Sequence, residues 1–282
     1  MIMKRILISP NNYFIQPNKK NNVYIQDSDT SHAAQQHADL VSLLHDTIVF
    51  QLPLNRKLRD SVFVANGGLS LWGVPACILS NMKFAHRKEE LPYMEKILHD
   101  MKIKTIHFPS ETIFEGQGEC CWFHDGSILL CGYGYRNTRR TCDELEALLH
   151  KVYRHYGKTP PQVIPVKIEN PYFYHLDFAV FKFSETECIL HPKAFSKKTI
   201  QLLYDVLGKE NVHCIRTSDT ICLNSIRQGN TIITGIVPSY VKKQMEDITG
   251  LSVHQVEVNH FEKSGGSVRC MILDIYNGSI KN

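Results

Sequence analysis

The sequence predicts an α/β protein in which five similar ββαβ units close into a ring, a five-bladed propeller with pseudo-fivefold symmetry. Three observations predict it. Short strand-like runs alternate with amphipathic helical runs along all 282 residues. A polar motif recurs at Asn66, Glu115, His175, Asn224 and Cys270, with separations of 49, 60, 49 and 46 residues. No Pro/Ser-rich linker or low-complexity tract divides the chain. Repeats of this length cover one another's apolar faces, as blades of a closed array do. A single catalytic-sized domain over residues 1–282 follows, with a division into two domains as the alternative.

Taken in order, "KRILIS" supplies an N-terminal strand expected to complete the ring. Five helical stretches follow at 31–45, 87–101, 142–156, 197–207 and 239–249, each with apolar residues at three- and four-residue spacings. Thr141 and Glu144 open the third with capping-box spacing, and Gly208 ends the fourth as a C-cap. Between them lie runs such as "SVFVAN", "FYHLDFAVF", "TICLNS" and "VRCMILDI", read as the strands that carry the motifs. Residues 61–82 hold no charge over a length that could cross a bilayer. Asn66, the Gly67–Gly68 pair, Gly73 and Pro75 interrupt them, so a buried hairpin is expected there and no membrane anchor.

Composition excludes several functions. Hydrophobic residues make up 43% and charged residues 21% of the chain, and the formal charge is +4. The basic residues are scattered, which argues against nucleic-acid binding. Nine cysteines and an opening "MIMKRILISP" without an apolar h-region point to a reduced, cytoplasmic setting. There is no C-x-x-C, H-E-x-x-H or G-x-S-x-G, so zinc and serine-hydrolase chemistry are unsupported. "GYGYRNTRRT" lacks the spacing of a phosphate loop, although Arg136, Arg139 or Arg140 could grip a carboxylate.

The motifs themselves suggest a thiol site. On a strand, His175 and Asp177 of "FYHLDF" would face the same side. A histidine there could hold a thiolate and pass a proton to a departing nitrogen, or simply pair with its neighbour. Glu115, with Glu119 behind it, sits in a glycine-framed turn where a carboxylate could bind a cation. Cys120 and Cys121 read as core thiols. Cys270 follows "GGSVR" at the mouth of an apolar run and is either a packed thiol or the nucleophile. In a closed ring, all these motifs would meet near the axis.

In this order, "SPNNYF", "NNVYI", "VFVANGGL", "FEGQGE", "GYGYR", "YFYHLD", "CLNSI" and "GGSVRC" resemble the guanidino-group-modifying branch of the pentein superfamily. That branch comprises arginine deiminases, arginine dihydrolases, dimethylarginine dimethylaminohydrolases and amidinotransferases. The resemblance covers nearly the whole chain and implies a five-bladed ββαβ fold. It implies Cys270 as nucleophile, His175 as general acid/base, and Glu115 and Asp177 as guanidinium ligands. Asn66 and Asn22 would border the substrate, and Arg136 would bind its α-carboxylate.

The implied reaction passes through an S-alkylthiouronium adduct and needs no cofactor or metal. Asn66, where deiminases usually carry Asp, resembles the dihydrolases, which convert arginine to ornithine, ammonia and carbon dioxide. A citrulline-forming hydrolase, an amidinotransferase or a non-catalytic pentein are the alternatives. Asn81 stands where the dihydrolases place a second carboxylate-binding arginine, with Lys83 and Arg87 as candidates to replace it. The expected partner is a small guanidino compound, with no nucleic acid and no membrane, and homo-oligomerisation is left open.

Overall fold

The computed structural model describes residues 2–15, 24–25, 31–109 and 111–276. They form five three-stranded sheets. The first contains β1 (Ile2–Ile8), followed by α1 (Ala33–Ser42) and β2 (Thr47–Phe50), with β1 and β2 parallel. The second contains β3 (Gly68–Ser70) and β4 (Ala76–Leu79) as an antiparallel hairpin. Helices α2 (Ala85–Lys88) and α3 (Leu91–Asp100) then lead to β5 (Lys104–His107), parallel to β4. The third runs β6 (Cys120–Phe123), β7 (Ile128–Tyr133), α4 (Arg139–His155), β8 (Gln162–Lys167).

The fourth runs β9 (Val180–Lys182), β10 (Cys188–Leu190), α5 (Lys197–Leu207), β11 (Val212–Cys214). The fifth runs β12 (Ile226–Gln228), β13 (Thr231–Thr234), α6 (Ser239–Thr249), β14 (Ser252–Gln255). After α7 (Asn259–Glu262), β15 (Leu273–Tyr276) returns to pair antiparallel with β1. Every sheet thus holds two antiparallel strands and a third reached through a helical crossover, parallel to the middle one. The expected repeat is the observed one, and the uncharged segment 61–82 contains the β3–β4 hairpin. Among the described residues no helix is long and apolar enough to cross a membrane.

Local details differ from the expectation. The helix expected over 87–101 is broken between α2 and α3, because Pro92 sits in the first turn of α3, where its missing N–H costs no hydrogen bond. Helix α4 starts earlier than expected: Thr138 is its N-cap and forms a capping box with Thr141, so Thr141 occupies N3. Its apolar stripe of Cys142, Leu145, Leu149 and Val152 is buried. Gly208 caps α5 at φ 89°, as expected.

The larger difference concerns the motifs. They do not end strands; they occupy short turns that feed into the first strand of a blade. Asn66 lies in the 3-10 turn Val64–Gly67 before β3, and Glu115 precedes the turn Gly116–Gly118 before β6. His175 precedes the turn Leu176–Phe178 before β9. Asn224 and Cys270 occupy turns before β12 and β15. These turns bond to one another as well as to their own sheets. Ala65 N–H donates to Cys270 O at 3.1 Å, Arg269 N–H to Asn224 O at 3.2 Å, and Asn224 Nδ2 to Asp177 O at 3.4 Å. Gly116, at φ 50°, lies so close to Gly68 that a Cβ would stand 2.5 Å from the Gly68 carbonyl oxygen, which only glycine permits.

Candidate active site

The inter-turn hydrogen bonds bring Cys270, His175, Asp177, Glu115 and Asn66 together around the ring axis, all of them buried. Asn224 fixes the thiol. Its Nδ2 donates to Cys270 Sγ at 3.2 Å, and its Oδ1 accepts from Cys270 N–H at 3.1 Å. Cys270 Sγ in turn lies 3.4 Å from Asp177 Oδ2. Burial above all, and next the Asp177 carboxylate, push the Cys270 thiol well above its ordinary value. In this state the sulfur is a neutral thiol.

Glu115 is gripped from two sides. Its Oε1 accepts from Lys83 N–H at 3.0 Å, and its Oε2 accepts from His175 Nε2 at 2.6 Å. Burial pushes its carboxyl up, but the His175 hydrogen bond and the charges of His175, Arg136 and Arg87 outweigh this, leaving it lowered to about 2. Asp177 is the opposite case: burial raises it despite the attraction of His175 and Arg269. Its Oδ1 is buried without a hydrogen-bond partner among the described residues.

His175 and Asp177 do reach the same centre, but not by strand alternation. His175 has extended backbone, and Asp177 belongs to the 3-10 turn that follows it. Glu119, the second acid of the glycine turn, is completely buried behind them. It accepts from Leu176 N–H at 3.2 Å and Asn137 N–H at 3.4 Å. Burial and the neighbouring Glu115 charge raise it well above the ordinary carboxylate range.

A cavity of about 250 Å³ opens onto this centre, lined by Asn66, Arg87, Glu115, Arg136, His175 and Cys270 among others. It lies below the roughly 300–1,000 Å³ of most small-molecule sites, so an amino-acid-sized ligand would fill it. Arg136 is stacked between Phe84 and Tyr174, its guanidinium carbon 4.7 and 4.8 Å from the ring centroids. Its Nε is 3.6 Å from Glu115 Oε2 and has no hydrogen-bond partner among the described residues. Arg139 and Arg140, the other two arginines of that stretch, pair with Asp143 and Glu144 on exposed helix surface.

Asn66 presents an amide to the same cavity. Arg87 Nη1 donates to its Oδ1 at 2.8 Å, while its Nδ2 is buried without a partner among the described residues. The expected substitution of an arginine by Asn81 is incorrect. Asn81 bridges Phe114 through its backbone, its side chain donates to Thr112 O, and it does not line the cavity. Besides Arg136, Arg59 and Arg87 line it, and Arg87 is locked by Glu90 at 2.9 Å and by the Asp60 and Phe63 carbonyls. Lys83 contributes its backbone to Glu115 and points its ammonium at Tyr135 O. Asn22 lies outside the described residues.

Sequence reasoning did not single out Asp60 and His86, which share a 2.6 Å hydrogen bond in the cavity wall, nor assign a role to Asn224. The recurrence of Asn224 at the blade interval was the available signal. Cys121 was expected in the core and is instead half-buried, lining a second cavity.

The model of the family described as N,N dimethylarginine dimethylhydrolase, eukaryotic, matches residues 4–277. An uncharacterized protein of Caenorhabditis elegans, ZK1307.1, is 29% identical over 274 residues, covering 96% of this chain and 94% of its own. The bifunctional arginine dihydrolase/ornithine cyclodeaminase ArgZ of Synechocystis is 24% identical over 279 residues, and the match spans 96% of this chain but only 37% of ArgZ. Among solved structures, the substrate-bound N-terminal domain of a variant of ArgZ superposes with a TM-score of 0.85 at 20% identity, covering 97% of this chain and 98% of that one. A dimethylarginine dimethylaminohydrolase variant bearing an S-methyl-L-thiocitrulline adduct gives 0.74 at 18% identity, covering 98% and 100%. These likenesses establish the five-bladed pentein fold. From β1 to its closing strand, the chain belongs to the N,N-dimethylarginine dimethylhydrolase family.

Proposed function

We propose that this hydrolase of guanidino carbon–nitrogen bonds acts on arginine as a dihydrolase, giving ornithine, two ammonia and carbon dioxide from arginine and two waters. The substrate's α-carboxylate pairs with Arg136, whose donors are held in place by two aromatic faces. Its guanidinium reaches Glu115 and Asp177. Bringing a cation beside Cys270 and Asp177 offsets the repulsion that keeps the sulfur protonated, so the nucleophilic thiolate forms when substrate is bound.

The thiolate adds to the guanidinium carbon. His175 protonates the departing nitrogen, ammonia leaves, and an S-alkylthiouronium remains with the amino-acid chain attached. Water activated by His175 adds to that carbon, and expulsion of the thiolate gives a neutral ureido group. A second attack by Cys270 on the ureido carbon expels the second ammonia and leaves an S-thiocarbamate. A second water displaces the thiolate, and the carbamate so formed breaks down to ornithine and carbon dioxide.

The observation that carries the dihydrolase reading is the Asn66 amide, with its unpartnered buried Nδ2. A ureido intermediate has no cationic charge, and a site with a further carboxylate would bind it poorly. An N–H donor can instead hold its oxygen for the second attack. The family description favours a second reading, in which a dimethylated arginine loses dimethylamine and citrulline is released.

Mass-spectrometric product analysis with arginine and methylated arginines separates the two. Ornithine from arginine is expected from the wild type, and citrulline from Asn66→Asp. Citrulline and dimethylamine from wild type, without ornithine, would overturn the dihydrolase reading. Cys270→Ser is expected to lose at least roughly 10³-fold in kcat, because a hydroxyl supplies no anion at neutral pH.

A further inference from the structure

A second cavity, about 670 Å³, lies at the other end of the ring axis, among the hairpin ends of the blades. It is lined by four basic groups (Arg5, Lys182, Arg227, Arg269) and four acidic ones (Asp46, Asp177, Glu185, Asp274). A charge-balanced wall of this kind suits neutral polar molecules rather than an ionic substrate. At the ~30 Å³ a water claims in the liquid, the cavity has room for on the order of twenty waters. Its rim, which includes Asp46, Glu185, Arg227 and Gly229, is exposed.

The two cavities almost meet. Asp177 lines the rear one and Cys270 the front one, and their facing atoms are 3.4 Å apart. The orphaned Asp177 Oδ1 belongs to a side chain only 7% exposed, the kind of buried group that a water normally satisfies. Beside it, Arg269 Nη2 donates to Gln117 Oε1 and Arg269 Nη1 to Asp274 Oδ2, both at 2.7 Å, forming a polar collar on the axis.

The reaction makes a demand that the front cavity cannot meet. In the thiouronium adduct the amino-acid chain is still bonded to the reacting carbon and fills the small front cavity until hydrolysis is complete. Ammonia must nevertheless leave and water must arrive during that interval. We propose that the rear cavity is a separate port for small neutral molecules, admitting the hydrolytic water and discharging ammonia or a small amine past Asp177. The inference rests on the hydrolase reading but holds for either product, since both pass through an adduct that retains the chain.

Two substitutions obstruct the port without touching the site. Cys121→Trp fills it from within, and Glu185→Trp crowds its exposed rim; Cys121→Ser is the isosteric control. With folding checked by circular dichroism, at least one Trp variant is expected to lower kcat about fivefold or more with KM within twofold. Acid-quenched mass spectrometry should then show the Cys270 adduct at a higher steady-state fraction than in wild type. Cys121→Ser should retain kcat within about twofold.

Folded Trp variants with wild-type kcat and adduct level would overturn the port, as would a lower kcat without added adduct. Wild-type protein that forms no Cys270 adduct with any guanidino amino acid would instead refute the hydrolase reading beneath it.

Discussion

The two ends of the ring axis lie on either side of the same thiol–carboxylate contact, yet they are opposites. The front holds a small cavity in which charged groups are buried, stacked on aromatics or left with unpartnered donors. The rear holds a larger one that is open at its rim and balanced in charge. Chemistry needs desolvated, preorganised charge, whereas passage of water needs none. The contrast shows how a ring of blades can separate binding from exchange across a single thiol–carboxylate contact.

The sharpest test of the front wall compares its two glutamates, which come from one turn. Glu115 is held ionised by His175, so Glu115→Gln should lower kcat on the order of 100-fold or more by removing the partner that orients the acid/base. Burial raises Glu119, and Glu119→Gln should cost at most about tenfold, since only one of its two accepted N–H bonds is surrendered. Equal losses in steady-state kinetics would erase the distinction.

A smaller effect should appear in the thiols that face the two cavities. Burial raises Cys270 well above its ordinary value and pushes Cys121 up to about 11. Iodoacetamide labelling of either residue, followed by peptide mapping without substrate, should therefore accelerate about tenfold per pH unit through pH 9. A plateau at Cys270 below pH 8 would mean that the front end stores a resting thiolate, and the comparison would have to be redrawn.

The smallest effect lies outside both cavities. His37 is buried, and desolvation lowers it to about 4. Its folded value is below the ordinary 6.5, so its contribution is present above pH 6.5 and is lost as pH falls towards 4. That loss amounts to at most roughly 3 kcal/mol. Calorimetric melts of wild type and His37→Gln should converge in their pH dependence if another group governs acid unfolding. A flatter profile for the variant is expected.

Much of this arrangement was legible in the sequence. The blade repeat was visible because one chemically special turn per blade must return to the axis, which fixes the spacing. The conformation of those turns was not. Cys270 takes its backbone hydrogen bonds from Ala65 and Asn224, in turns far away in sequence, and no local propensity encodes that.

Arg87 was legible only as one of two candidates to replace a missing arginine. The resemblance put that arginine at Asn81, which the fold uses to bridge Phe114. The rear cavity was out of reach altogether. Its walls come largely from the hairpin ends of several blades, and apart from Asp177 each residue there reads as ordinary surface or core.

The pairing of β15 with β1 has a temporal meaning. Residues 2–6 must find residues 273–276 before the ring is sealed, and Cys270 sits three residues short of that last strand. A nascent chain carries His175, Glu115 and Asp177 long before it carries the sulfur they surround. Contacts this distant in sequence form late and slowly. Turnover through Cys270 is therefore a reporter of completed closure: a chain stalled ahead of residue 270 has no sulfur and no chemistry to misdirect.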